Sequence, residues 1–432
     1  MSTRHSRSSL RKGGKLRLHR AGAVAPAGRD EDRADFEHRD DPQHRRCEQG
    51  WRRSPVPAVL IVGAGFAGAV YARTLADHDV HVHIIDRRSH VAGNAYDEAA
   101  ATGIRVHCYG PHLFHTSMAS VVAWVRRFGR WLPYEHRVQA ELPDRRCVPL
   151  PINRTTINLV FGASLRTQVD VQTFLASQAV PCAAPRNAAE HLNSRIGPRL
   201  TDLFFRPYTR KMWGLDLEDL DPAVVKRIPL RFDEEDRYFP SDAFQFLPER
   251  GYTDLFGNIL DHERIKVSLA TPFHKSLLSG FGFCFNSMAI DEYFDEQLGP
   301  LPYRSIRFHH REEAAEYTRG TSSVINFTDA SPFTRETDWS RLPGHASELK
   351  SKTITVEQPC DYRENGLERY YPVKTSDGRH DALYRRYREL AAKEGCVAFI
   401  GRCGTYQYLD MHQVINQSLA GANAWLAGNG IQ

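Results

Sequence analysis

A chain of 432 residues with 41% hydrophobic and 25% charged side chains is long enough for two or three domains with true cores. Its net charge of +5 comes from the first 55 residues, which hold 14 basic and 8 acidic side chains; the remaining 43 and 44 balance, so nothing calls for nucleic acid as a partner. No apolar run approaches the roughly 18–20 residues of a membrane-crossing helix, and eight scattered cysteines without a CxxC pair exclude a disulfide framework and read as reduced thiols in the cytoplasm.

Residues 1–55 are rich in Arg, Ser, Asp and His, lack a hydrophobic period, and read as a disordered basic tail. The block EDRADFEHRDD fits an organelle transit peptide poorly, and translation starting nearer Val56 would make the tail a start-site artefact. From Val56 the pattern changes: Ala58–Val62 is a short apolar strand, Ala67–Ala76 a helix, and Val80–Ile85 a strand ending at Asp86. That is a βαβ unit of about thirty residues.

GAGFAG joins the first strand to the helix. Gly63 permits the tight turn, Gly65 lets the backbone approach a pyrophosphate, and Gly68 allows close packing of helix on strand, with Phe66 and Ala67 completing the loop. The pyrophosphate is expected on the amides and positive dipole end of the helix. Asp86, eighteen residues after Gly68, is placed to accept the hydrogens of an adenosine ribose, with Arg87 beside it. The following RRSHVAGNAY is similar to the second glycine element of FAD enzymes that share this unit. Gly93 and Asn94 are in place, but Ala92 stands where a glycine is usual; alanine demands a negative φ, so an altered local geometry is expected. FAD is favoured over NAD.

Further on, residues 165 to 225 look helical, with Ile196, Leu200, Leu203 and Phe204 on one stripe. Between 300 and 375, strand-like runs such as Ser323–Phe327 and Thr353–Val356 alternate with turns. The chain ends with apolar Val397–Ile400, Gly401, and a helix from about Asp410. Taken by themselves, several residues have bland readings. KRIPLR, with Arg227, is a solvated basic stretch; Phe204 and Phe205 are core; Asp410 caps the helix after it. His112 and His115 are three apart, but no third ligand accompanies them, so no metal is expected.

Four further segments are unusual strings in a fixed order: YGPHLFHT (Tyr109–Thr116), PYTRKMWG (Pro207–Gly214) with KRIPLRF (Lys226–Phe232), VINFTD (Val324–Asp329), and GRCGTYQYLDMHQ (Gly401–Gln413). With GAGFAGAVYA and RRSHVAGNAY, the chain from residue 57 to its end resembles bacterial UDP-galactopyranose mutases. The resemblance implies an α/β multidomain fold. A Rossmann-like FAD-binding domain would take 56–120, 251–295 and 390–432. A helical domain with a mobile lid would take 165–225, and an antiparallel sheet domain 121–164, 226–250 and 296–389.

It also implies interconversion of UDP-galactopyranose and UDP-galactofuranose through a covalent sugar adduct on N(5) of reduced FAD. NADPH or NADH would be the reductant, the enzyme would be cytoplasmic, and a homodimer is suggested. By motif position, Arg227 and Arg335 look like the phosphate-binding arginines, and Tyr238, Tyr371 and Tyr408 like the phenols that donate to the same phosphates. Phe204, Phe205, Tyr208 and Thr209 fall where the family holds uracil and ribose. Trp213 and Arg227 resemble the lid, Asn326 and Arg304 match the sugar pocket, and Asp410 supports that network. His112, His115 and Arg402 match residues beside the flavin.

The chain departs from the family at Ala92, at Ser287, Met288 and Ala289 in place of a usual Thr-Gly-Pro, at Phe246 in place of a small residue, at Cys403 in place of a leucine, and by one residue fewer between Asp329 and Arg335. Two other readings use the same N-terminal unit. An amine-oxidase-like flavoenzyme would not need two arginines and three tyrosines around one pocket. A diverged, non-catalytic nucleotide-sugar-binding flavoprotein would draw on the lost glycines.

Overall fold

The computed structural model of the protein describes residues 58–431 except 227, 228 and 347–349, so the expected tail lies outside the described residues. Four consecutive apolar residues form strand β1 (Val59–Val62), buried throughout. It is the centre of a five-stranded, all-parallel sheet. On one side lie β2 (Val82–Ile85) and Ile265–Ser268, on the other Phe283–Asn286 and Val397–Phe399. The strand order reverses between β1 and Phe283–Asn286, where open parallel sheets leave a crevice at the carboxyl ends of their strands.

Helix α1 (Phe66–Ala76) follows β1 with no side chain capping its first turn. The turn between them needs its glycines. Gly63 has φ +103°, and a Cβ there would strike the Ser287 side chain across the crevice; a Cβ on Gly68 would strike the Gly63 carbonyl. Nearly all of α1 is buried, and Phe66, Val70 and Leu75 join one core with Phe256, Ile415 and Leu426. Each side chain of that size adds about 1.5–3 kcal/mol on full burial. The other sheet face packs Leu60 and Val62 on Tyr293, Tyr303 and Tyr387.

A second, seven-stranded sheet runs in the order Tyr371–Pro372, Tyr303–Ala314, Ser351–Asp361, Arg335–Asp338, Val324–Phe327, Val138–Glu141, Cys147–Leu150. It differs from the expected antiparallel sheet in one respect: Val324–Phe327 runs parallel to Val138–Glu141. Helical residues intervene between these two strands, and a connection that long permits a parallel crossover. Two segments expected in this sheet lie elsewhere. Phe244–Pro248 pairs with Phe114–Thr116 on one side and Trp131–Pro133 on the other in a three-stranded antiparallel sheet. Helix Arg379–Ala391 buries Tyr387 against the parallel sheet's core.

The helical segment holds Arg154–Phe161, Gln168–Gln178, Ala188–Leu200 and Arg206–Trp213. Asn153 and Asn187 cap two of these by accepting the backbone N–H three residues on, at 2.9 and 2.8 Å. The stripe from Ile196 to Phe204 is not one regular helix. Pro198 has no N–H to give, Gly197 turns to φ +75°, and Thr201–Phe205 is a π-helical turn. The wider turn rotates the helix after it, and Phe204, Phe205, Tyr208 and Thr209 all border one cavity.

Candidate functional site

Two adjoining cavities occupy the body of the protein. The first, of about 320 Å³, opens at the carboxyl ends of β1 and β2 and is bordered by Gly63, Gly65, Phe66, Ala67, Asp86, Arg87, Gly93 and Asn94. Gly68 borders neither cavity; it serves close packing, as its spacing suggested. The Asp86 carboxylate is fixed by the turn itself, Oδ2 accepting the Ala64 N–H at 2.7 Å and Oδ1 the Arg88 N–H at 2.8 Å. Arg87 is half-exposed and pairs with Glu368 at 3.2 Å.

Ala92 corrects an expectation. Its φ is +72°, left-handed, despite the Cβ. Its N–H donates to the Ala64 carbonyl at 3.0 Å and its carbonyl accepts from Ala95, while Gly93 lies against the Gly65 backbone. These tethers hold the turn, and the strain of about 1–2 kcal/mol is borne by alanine.

Asn94, His112, Arg402 and Met411 border both cavities. The His112 imidazole is half-buried and donates from Nδ1 to the Gly110 carbonyl at 2.8 Å; desolvation, with Arg402 nearby, drives its pKa down to about 4, so it is neutral. Arg402 donates from Nε to the Leu409 carbonyl at 2.6 Å and lies over the ring of Tyr408 at 4.9 Å.

The second cavity, about 330 Å³, has the π turn and helix Arg206–Trp213 on one wall and the seven-stranded sheet on the other. Phe204, Phe205, Tyr208, Thr209 and Trp213 come from the first; Asn326 and Arg335 come from the second; Tyr238, Tyr371, Tyr408, Asp410 and His115 close the rest. Neighbouring strands set Arg335 beside both Asn326 and Glu357. Arg335 Nη2 donates to the Tyr208 hydroxyl at 3.0 Å, and Nε lies 3.0 Å from Glu357 Oε2 without the angle of a hydrogen bond. Burial opposes the Arg335 charge, but Glu357 and the surrounding phenols outweigh it and hold the guanidinium charged. Burial pushes Glu357 up while Arg335 pulls it back. Tyr371 stacks on Tyr408 at 5.4 Å, and burial raises its phenol well above the ordinary value, leaving a neutral donor. The Asn326 side-chain oxygen is buried without a partner among the described residues.

Other residues fall differently from the expectation. Arg304 borders neither cavity; it donates to the carbonyls of Met212 at 2.8 Å and Lys211 at 3.2 Å and so closes the end of the helix that carries Tyr208 and Trp213. Arg227 lies outside the described residues, although Val224 and Val225 just before it border the second cavity. Asp410 borders the second cavity and directly precedes helix Met411–Gly428, where its N–H donates to Gln413 Oε1 at 2.9 Å. His115 does have companions: with Asp410 and His412 it forms a group whose ligand atoms lie within 4.8 Å of one another, and its Nδ1 is 2.6 Å from Asp242. Phe246 finds its room on the strand Phe244–Pro248, stacked near Phe244 with Arg126 over it. Glu357, His136, Phe239 and Arg88 border the cavities and were not singled out from sequence. For Glu357 a signal existed, a lone acid continuing the Thr353, Thr355 alternation of a strand; for His136 there was none.

The family described as UDP-galactopyranose mutase matches residues 203–408, and an NAD(P)-binding Rossmann-like domain matches 61–128. The chain is 33% identical over 382 residues to a dTDP-fucopyranose mutase of Escherichia coli, covering 86% of this chain and 99% of that one. It is 34% identical over 374 residues to a probable UDP-galactopyranose mutase of Klebsiella pneumoniae, covering 85% and 94%. The chain belongs to the UDP-galactopyranose mutase family. As a mutase-family enzyme it is an isomerase on an α/β multidomain fold whose N-terminal unit is a Rossmann-like dinucleotide-binding domain. The fold also matches that of a reduced UDP-galactopyranose mutase, with a TM-score of 0.67 at 15% identity, over 86% of this chain and 96% of the other. No helix among the described residues is long and apolar enough to cross a membrane.

Proposed function

We propose that the protein interconverts UDP-galactopyranose and UDP-galactofuranose, with FAD in the first cavity and the UDP-sugar in the second. The observation that carries this reading is the shared border of Asn94, His112, Arg402 and Met411. It lets the ring end of a dinucleotide meet the sugar end of a substrate. FAD fits the first cavity: the Gly63 turn leaves a bare backbone approach, and the uncapped start of α1 faces the same crevice. Reduced flavin supplies N(5) as the nucleophile at the anomeric carbon, and the protein supplies placement and charge.

Arg335, held by Glu357, grips the diphosphate together with Arg227 and stabilises UDP as it departs as an anion. The phenols of Tyr238, Tyr371 and Tyr408 donate to the same oxygens without adding charge. Phe204, Phe205, Tyr208 and Thr209 hold the base and ribose, and Trp213 with Arg227 closes over them to exclude water. Asn326 turns its unpartnered oxygen to a sugar hydroxyl. Asp410 supports this network, and Arg402 at the junction favours the anionic form of a reduced flavin. Gly63, Gly65, Phe66, Ala67, Asp86, Arg87, Gly93, Asn94, His112 and His115 belong to the flavin side. The same reading takes NADPH or NADH as reductant, the cytoplasm as compartment, and a homodimer as the working unit.

Purified, flavin-loaded protein should form UDP-galactopyranose from UDP-galactofuranose when reduced by dithionite and not when oxidised. Oxygen consumption with an amine would instead support an oxidase, and UDP binding without conversion a non-catalytic protein. The 33% identity to a dTDP-fucopyranose mutase favours a second substrate, dTDP-fucopyranose, to be run in the same assay.

A further inference from the structure

His115, Asp410 and His412 bring one ligand atom each within 4.8 Å of one another, a grouping that the mutase reading leaves without a role. They come from two elements. His115 is the middle residue of strand Phe114–Thr116; Asp410 directly precedes helix Met411–Gly428, and His412 is the second residue of that helix. The two imidazoles meet edge to face, with centroids 5.1 Å apart at 69°. The His115 ring is fixed from two sides: Phe239 stacks on it at 3.5 Å, and Nδ1 lies 2.6 Å from Asp242 Oδ2. His412 Nδ1 is buried without a partner among the described residues. A buried nitrogen in that state calls for a partner from outside the chain.

Two imidazoles and a carboxylate are the donor set of a divalent transition-metal ion, and zinc takes three such ligands with water in its remaining position. Calcium and magnesium, which prefer oxygen ligands, do not suit two ring nitrogens. Asp242 completes the pattern. A metal-binding histidine gives its other ring N–H to a carboxylate, which fixes the ring and raises the basicity of the nitrogen facing the ion. With Nδ1 given to Asp242, Nε2 is the nitrogen that His115 has left for an ion. Tetrahedral ligands at zinc–donor lengths of about 2.0–2.1 Å stand about 3.4 Å apart. Small side-chain rotations close the group from its 4.8 Å spread to that spacing. The positive end of the helix opposes a cation there, and the carboxylates of Asp410 and Asp242 offset it.

We propose that His115, Asp410 and His412 bind a zinc-type divalent cation, and that the bound ion holds the enzyme inactive. His115 and Asp410 both border the second cavity, so the ion lies at its wall. There it withdraws two cavity side chains from the substrate and adds a positive charge that draws oxygens of the UDP-sugar out of place. The zinc site rests on the cluster alone; the inhibition rests on the mutase reading above.

The test uses flavin-loaded, full-length enzyme freed of metal with EDTA. Wild type is set beside His412→Phe, which keeps a ring against His115 and loses both nitrogens, and Asp242→Asn, which leaves the three ligands in place. Flavin content and thermal midpoint check folding; should the Phe variant lose flavin, His412→Ala takes its place. Calorimetric titration with zinc chloride should give one tight equivalent in wild type. Its Kd should rise about a hundredfold or more in His412→Phe and about tenfold in Asp242→Asn. One equivalent of zinc should slow conversion of UDP-galactofuranose by dithionite-reduced wild type about tenfold or more, and EDTA should restore it. His412→Phe with zinc present should keep the rate of metal-free wild type. No tight equivalent in wild type, equal affinity in His412→Phe, or bound zinc that leaves turnover unchanged would overturn the proposal. Metal-free wild type without turnover would overturn the mutase reading instead, and the titration would still decide the zinc site.

Discussion

The two cavities are built from different materials. The first is organised by a glycine turn, the open start of α1 and an aspartate clamped by two amides, all within about thirty consecutive residues, with later segments near Thr271, Ser287, Glu368 and Gly401 completing its border. The second is made of side chains drawn from a π turn, every strand of the seven-stranded sheet and the C-terminal segment, with charge at its centre. The first should therefore fail through shape, the second through charge.

Gly68→Val is the severest way to break the first. Its branched side chain has no space beside the Gly63 carbonyl, and stability should fall by about 3 kcal/mol or more with loss of bound flavin, read by absorbance and by denaturant midpoint. A yellow, stable variant would mean that backbone closeness is not what builds that cavity. Arg335→Ala is the counterpart in the second. Flavin should remain while kcat/KM drops by about 2–5 kcal/mol, roughly 30- to several-thousand-fold. Equal loss of flavin would show the cavities to be one unit.

Much of this contrast could be read in the chain itself. The βαβ unit and its glycines are local, and local patterns carry their own geometry. Ala92 escaped because its φ is imposed by tethers to Ala64 and Ala95 and by the Gly93 contact with Gly65, not by its own preference. The stripe through Phe204 was legible as apolar, but Gly197 and Pro198 turned one helix into a kink and a π turn. Glu357 acquires its meaning only from the strand register that sets it beside Arg335. Arg304 shares a motif position with sugar-site residues, yet from its strand its guanidinium reaches the carbonyls at a helix end.

Acid sharpens the comparison from the other side. His112 sits at the junction with its pKa lowered from 6.5 to about 4, and the unfolded chain binds the proton that the folded one refuses. Stability is full above pH 6.5 and should fall through the window from 6.5 to 4, by about 1.4 kcal/mol per pH unit for this group. Urea midpoints at pH 7.5 and 5.5 measure it, and His112→Asn should narrow the difference by this group's share, the rest coming from His83, His107, His136 and His345, which burial also holds below 6.5. The smallest expected effect is a gain. Ala92→Gly removes left-handed strain, although glycine's looser unfolded state offsets part of it, so stability should rise by about 0.5–1 kcal/mol with turnover unchanged.

The parallel pairing of Val138–Glu141 with Val324–Phe327 has a consequence for how the molecule comes into being. During synthesis the earlier strand leaves the ribosome with one edge bare, and its partner follows only after roughly 190 more residues. Until that partner arrives the second cavity lacks one of its walls, and the unpaired strand edge is open to pairing with neighbouring chains.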